Sequence, residues 1–238
     1  MATLFLFVSC KQYDTPEVES INKFDDTILN HFKDNISTFH STMKEVKEIK
    51  EKWKNKTSST NLIEVQNSIV SKINKYYKTN LEVEGNILEL VNLNSDDILY
   101  SSFNNGWINK KDAELTNLLI ANIELKGFDM AIKKYTEDVL KLALPNDQFS
   151  KKNIFVNTLK FINHQNPDYF KFPSQGNLQK SLGWGWGCAK ATIALAGTSI
   201  GLSACATVAL CILAVACFAI AADNFADKCV GAYLENNQ

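Results

Sequence analysis

Cysteine is the residue type in this chain whose spacing bears most directly on chemistry. Cys10 stands alone near the start, while Cys188, Cys205, Cys211, Cys217 and Cys229 crowd the end, with none between. That separation implies two unrelated uses. The tail set is odd in number, so at least one of its cysteines stays free or pairs between molecules, and two internal bridges suit an oxidising compartment. On a helix each step from Cys205 to Cys211 to Cys217 turns through about 240°, so the three point in three directions and one neighbouring helix cannot pair with all of them. A fold-back between Gly197 and Gly201 would set Cys188 nearest Cys211 to Cys217; the connectivity stays open.

Other reactive groups are sparse. His31, His40 and His164 are the only histidines, and nine helical residues put His31 and His40 on opposite faces. Asp96 and Asp97 resemble calcium ligands, but the closing glutamate of a calcium loop is missing and helix capping accounts for them. No glycine-rich phosphate loop and no nucleophile elbow occur. The chain of 238 residues carries a net charge of −1 and no arginine, which weighs against nucleic acid and against bidentate recognition of phosphate. The expectation is a protein that is not an enzyme, with no catalytic residue, metal ligand, cofactor or nucleic-acid partner assigned.

The first ten residues, "MATLFLFVSC", form an apolar run ending in a small residue and cysteine, followed by the polar "KQYDTPEVES". This start resembles a bacterial lipoprotein signal. The resemblance implies cleavage before Cys10, a diacylglycerol thioether on its sulfur, and residence in the cell envelope outside the cytoplasm or after secretion. Several acyl chains anchor stably because each buried methylene contributes about 0.8 kcal/mol.

At the other end, no charge occurs from Ala191 to Ala222. One straight helix of that length would reach about 50 Å, well beyond a hydrocarbon core of about 30 Å. Gly197 and Gly201 are expected to divide it into a short helix from Cys188 and a longer one from about Leu202 to Ala222. Trp184 and Trp186 have the character of interfacial anchors. The stretch from Cys188 to Cys229 resembles the small, hydrophobic, cysteine-rich bacteriocins of the halocin C8 type. Those peptides form the C-terminus of a larger precursor whose N-terminal part serves in immunity, so the resemblance implies a membrane-active antimicrobial or toxin-like module.

Between these ends the elements read as helices. Thr15 and Pro16 are expected to open one long amphipathic helix whose stripe runs through Leu29, Phe32, Ile36, Phe39, Met43, Val46 and Trp53. Thr60 is the expected cap of a second helix, through Leu62, Val65, Ile69, Ile73 and Tyr76. Residues 81–93 are ambiguous. Ser95 is the expected cap of the next helix and Gly106 its stop; Asn109 opens and Gly127 closes another. A helix from Phe128 carries Ala131, Tyr135, Val139 and Leu142, and beyond Pro145 another carries Phe155, Leu159 and Ile162. Strand signals are absent, and the fold expected is an all-α bundle with a long N-terminal helix and a C-terminal apolar, cysteine-rich hairpin. Its parts would be a signal remnant and tether over 1–14, the bundle over 15–166, a glycine/tryptophan linker over 167–187 and the hydrophobic module over 188–238. The expected partner is membrane lipid, with another envelope protein second, and the oligomeric state is open. The alternative function is a structural or protein-binding envelope lipoprotein whose tail is a disulfide-clasped or membrane-embedded hairpin.

Overall fold

The computed structural model describes residues 22–53, 59–83, 87–90, 93–165, 167, 169–172 and 186–201. Among the described residues all regular structure is helical, as expected: α1 (Thr27–Asp34), α2 (Ile36–Trp53), α3 (Ser59–Tyr77), a 3₁₀ turn (Ile87–Leu90), α4 (Ser95–Asn104), α5 (Lys110–Lys126), α6 (Phe128–Leu140), α7 (Asn146–Gln165) and α8 (Trp186–Gly201). Neighbours in sequence pack in pairs, α2 on α3 and α5 on α6, while α8 lies against α4, α5, α7 and the 3₁₀ turn.

The long first helix expected from Thr15 to Trp53 is, over the described residues, two helices that begin at Thr27 and divide at Asn35. The Asn35 backbone leaves helical geometry (φ −114°, ψ 31°), and its side-chain Nδ2 donates to the His31 carbonyl at 2.9 Å. Asparagine competes in this way with the helical ladder. Residues 22–26 stay non-helical because their polar groups bond to α7 and the turn before it. Asn22 donates to the Leu144 carbonyl at 2.7 Å, and buried Asn157 donates to the Asp25 carbonyl at 2.9 Å while accepting from the Leu29 amide at 2.9 Å. Asp26 makes no side-chain cap of its own, so a residue 128 positions away caps α1. The expected stripe is nonetheless inward at Leu29, Phe39 and Val46, with Ile36 and Met43 partly buried against the core.

Caps differ from expectation by one residue in two places. Thr60 is the second residue of α3, not its cap. Asn94, rather than Ser95, caps α4 by accepting from the Asp96 and Asp97 amides, both at 3.0 Å. Ser95 is buried in its first turn. Asn109 caps α5 from 2.9 Å, and Gly127 (φ 79°) joins α5 to α6 alone, a left-handed conformation that glycine enters without steric cost.

Two helices build the middle of the core. α7 is buried continuously from Ile154 to Leu159, so it has no outer face there, and a helix covered on all sides is a core element. α8 buries every residue from Ala191 to Ala196 together with Ala189, Thr198 and Ser199. This helix starts at Trp186 and passes through Gly197 unbroken, against the expected break. The roughly 0.5–1 kcal/mol that a mid-helix glycine costs is small beside the burial of its neighbours. The first part of the tail, Trp186–Gly201, is a core helix. The expected linker likewise contributes core at Tyr169 and Phe170, whose ring stacks on Phe128 at 4.9 Å.

Candidate functional site

Alanine and glycine along α8 let neighbouring helices approach closely, and the polar groups this traps are paired. The Thr198 hydroxyl meets that of Ser102 at 2.7 Å, and Thr192 meets Tyr169 at 2.6 Å. Ser199 returns its proton to the Leu195 carbonyl at 2.7 Å. Burial holds the Tyr169 hydroxyl above its ordinary pKa, opposed in part by its bond to Thr192. From Ala191 onward α8 is therefore an uncharged helix inside the bundle whose buried hydroxyls are hydrogen-bonded.

Close approach is tightest at its last described residue. A methyl group on Gly201 would lie 2.4 Å from the Trp107 carbonyl oxygen and 2.6 Å from Ile108, so glycine is required there by space. At Gly197 the nearest atom would be the Thr116 hydroxyl at 3.4 Å, an ordinary contact.

Between this end of α8, the turn after α4 and the first turns of α5 and α7 lies a cleft of about 320 Å³. Trp107, Ile108 and Phe155 give it apolar walls, and Gly197 and Gly201 leave room by lacking side chains. Its charges cluster around Asp112. Lys152 pairs with that carboxylate, both side chains being largely buried. Lys151 donates to the Gly201 carbonyl at 3.3 Å; burial lowers its pKa most, with Asp147 and Asp112 acting the other way. Tyr135 lines the same space, and burial first, then the Asp112 charge, keeps its phenol protonated. Such a lining can receive a molecule with an apolar body and a polar end. Among the described residues of the cleft no nucleophile stands beside a base: the Asp112 carboxylate is occupied by Lys152, and all three histidines lie exposed on the outside of the bundle. Among the described residues no group of three or more histidine, cysteine, aspartate or glutamate side chains is placed to hold a metal ion.

Of the residues singled out in the sequence, Cys10, Trp184, Cys205, Cys211, Cys217 and Cys229 lie outside the described residues, and Cys188 is placed only as a backbone position in the first turn of α8. Trp186 is the first residue of α8. Its indole N–H donates to the Glu124 carboxylate, and its ring meets Phe172 edge-on at 5.5 Å. The sequence reading passed over the cleft residues Asp112, Lys151 and Lys152, since each falls among the polar residues that open a helix. Gly201 was singled out as a break in the apolar run, and its close approach to Trp107 and Ile108 was not foreseen. No protein-family model matches this chain, and neither a curated protein nor a solved structure matches it.

Proposed function

We propose that the chain is an extracytoplasmic, lipid-anchored helical bundle that carries a membrane-active C-terminal segment of bacteriocin-like or toxin-like character. The observation that carries this reading is the division of one uncharged run: Ala191 to Gly201 belongs to a core helix, and Leu202 to Ala222 continues from its end with no charged residue. That remainder has about the length of a membrane-crossing helix. No described helix is long and apolar enough to cross a membrane, so the reading assigns membrane activity to the residues after Gly201 and makes α8 their attachment to the bundle.

The test is release of dye from vesicles containing anionic lipid by the full chain with its disulfides formed, beside a chain ending at Gly201. Release by the first and not by the second is expected; no release by the folded full chain sinks the reading. The anchor is tested separately by acyl labelling at Cys10 with and without an inhibitor of the lipoprotein signal peptidase. Absence of acylation removes the anchor from the proposal. The burial of α8 favours a second reading, a structural or protein-binding envelope lipoprotein, because a tail cut off before α8 would take a core helix with it. An intact bundle with no leakage would select that alternative.

A further inference from the structure

We propose that the end of the bundle around Gly201 is a docking surface for an anionic lipid bilayer, an inference that rests on the membrane reading above and names the face that meets the membrane. Three observations converge there. Tyr100 and Phe103, one turn apart on α4, are 69% and 45% exposed, large apolar groups left in water on the helix that packs most closely against α8. Trp107 follows in the next turn, half-buried, with its carbonyl directly over Gly201. Aromatic rings of this kind concentrate where protein meets the membrane–water interface.

Lysines accompany them. Lys110 and Lys111 stand exposed at the start of α5, and Lys151 lies in the adjoining cleft. Of the acidic groups of the same end, Asp112 is paired with Lys152 and Glu114 meets Lys111 at 3.6 Å, while Asp147 is exposed at the start of α7; four lysines (Lys110, Lys111, Lys151, Lys152) against these three carboxylates leave one positive charge. Lysines near a surface of anionic lipid are attracted to it within a screening length. The third observation is continuity. Gly201 lies beside Trp107 and Lys151, and the residues that follow it in the sequence are uncharged through Ala222. Ile63, Leu118, Leu125, Met130, Leu140 and Phe172 are also exposed; the aromatic one, Phe172, meets Trp186 at the first residue of α8, the opposite end of that helix from Gly201.

The experiment uses the full chain carrying Cys10→Ser, so that an acyl anchor cannot mask the surface, and vesicles of phosphatidylcholine with or without phosphatidylglycerol. Co-sedimentation is read as the lipid concentration at half binding, and dye release is measured on the same samples. Binding that depends on phosphatidylglycerol is expected. Lys110→Glu with Lys111→Glu should weaken it roughly tenfold or more, and negative charge in the first helical turn does not oppose folding. Tyr100→Ser with Phe103→Ser should weaken it similarly, with helix content checked by circular dichroism. Lys126→Glu, a charge change at the far end of α5 about 24 Å from Lys110, should leave binding within about twofold. The proposal is overturned by variants at Lys110, Lys111, Tyr100 and Phe103 that bind like the parent chain, by equal binding to both vesicle types, or by no binding. Dye release together with unchanged binding by the Lys110, Lys111, Tyr100 and Phe103 variants upholds the membrane-active reading and overturns the surface; variant-sensitive docking without dye release upholds the surface and overturns that reading.

Discussion

Asn157 and the two α8 glycines show how single residues decide this packing. The Asn157 carboxamide stands in for the cap that Asp26 does not provide, satisfying Leu29 and Asp25 together. Asn157→Ala leaves a buried amide and carbonyl without partners, and we expect it to lower unfolding free energy by about 2 kcal/mol or more, measured by urea denaturation. The glycines should part company. Gly197→Ala gains helix propensity with only an ordinary contact at 3.4 Å, so stability should rise by roughly 0.5–1 kcal/mol. Gly201→Ala drives a methyl into a backbone carbonyl at 2.4 Å, and a loss of about 1–3 kcal/mol is expected; equal effects at the two positions would contradict this packing. Asn109 and Gly127 were legible in the sequence because a cap and a left-handed joint are local needs. Asn157 was not, because its partners are more than a hundred residues away.

At the scale of elements, the antiparallel pair α2 and α3 is clasped by Glu45, which meets Lys72 at 2.5 Å and also accepts from Tyr76. The hydrogen bond from Lys72, then that from Tyr76, holds the Glu45 carboxyl below its ordinary value of 4.5. A depressed folded-state pKa contributes stability that is present above the unfolded value and lost as pH falls through the folded one. The stability difference between the parent chain and Glu45→Gln should therefore be constant near neutrality and shrink below about pH 4.5. A difference that grows on acidification would exclude the clasp. Gly127→Ala tests the α5–α6 joint: there is open space around its Cβ position but a backbone at φ 79°, ψ 167°, a region almost confined to glycine, so a loss of about 1–3 kcal/mol in thermal or urea unfolding should come from backbone strain alone. Periodicity located most of these helices, yet it joined α1 to α2, since a stripe on the sequence does not register where Asn35 takes the His31 carbonyl for itself.

For the whole molecule the decisive element is α8. Ile193 and Leu195 are fully buried in it, and losing two such side chains from the core removes about 3–6 kcal/mol, a large part of the 5–15 kcal/mol typical of a domain. A chain ending before Trp186 is expected to lose cooperative unfolding and to bind a hydrophobic dye, whereas one ending at Gly201 should unfold cooperatively. If both behave alike, α8 is not part of the core. The sequence by itself determined the helical class, the positions of most helices and the uncharged character of the tail, because these follow from local propensity and from spacing along one chain. Only the tertiary structure decided that α8 and the Tyr169–Phe170 stretch belong to the bundle, and that Asp112, Lys151, Lys152 and Tyr135 share one cleft. An apolar run announces that it must leave water, but whether a membrane or a protein core receives it depends on which surfaces the rest of the chain offers. Here Ser102, Thr116, Phe155 and Tyr169 form a receiving surface for α8 that no single stretch of sequence displays.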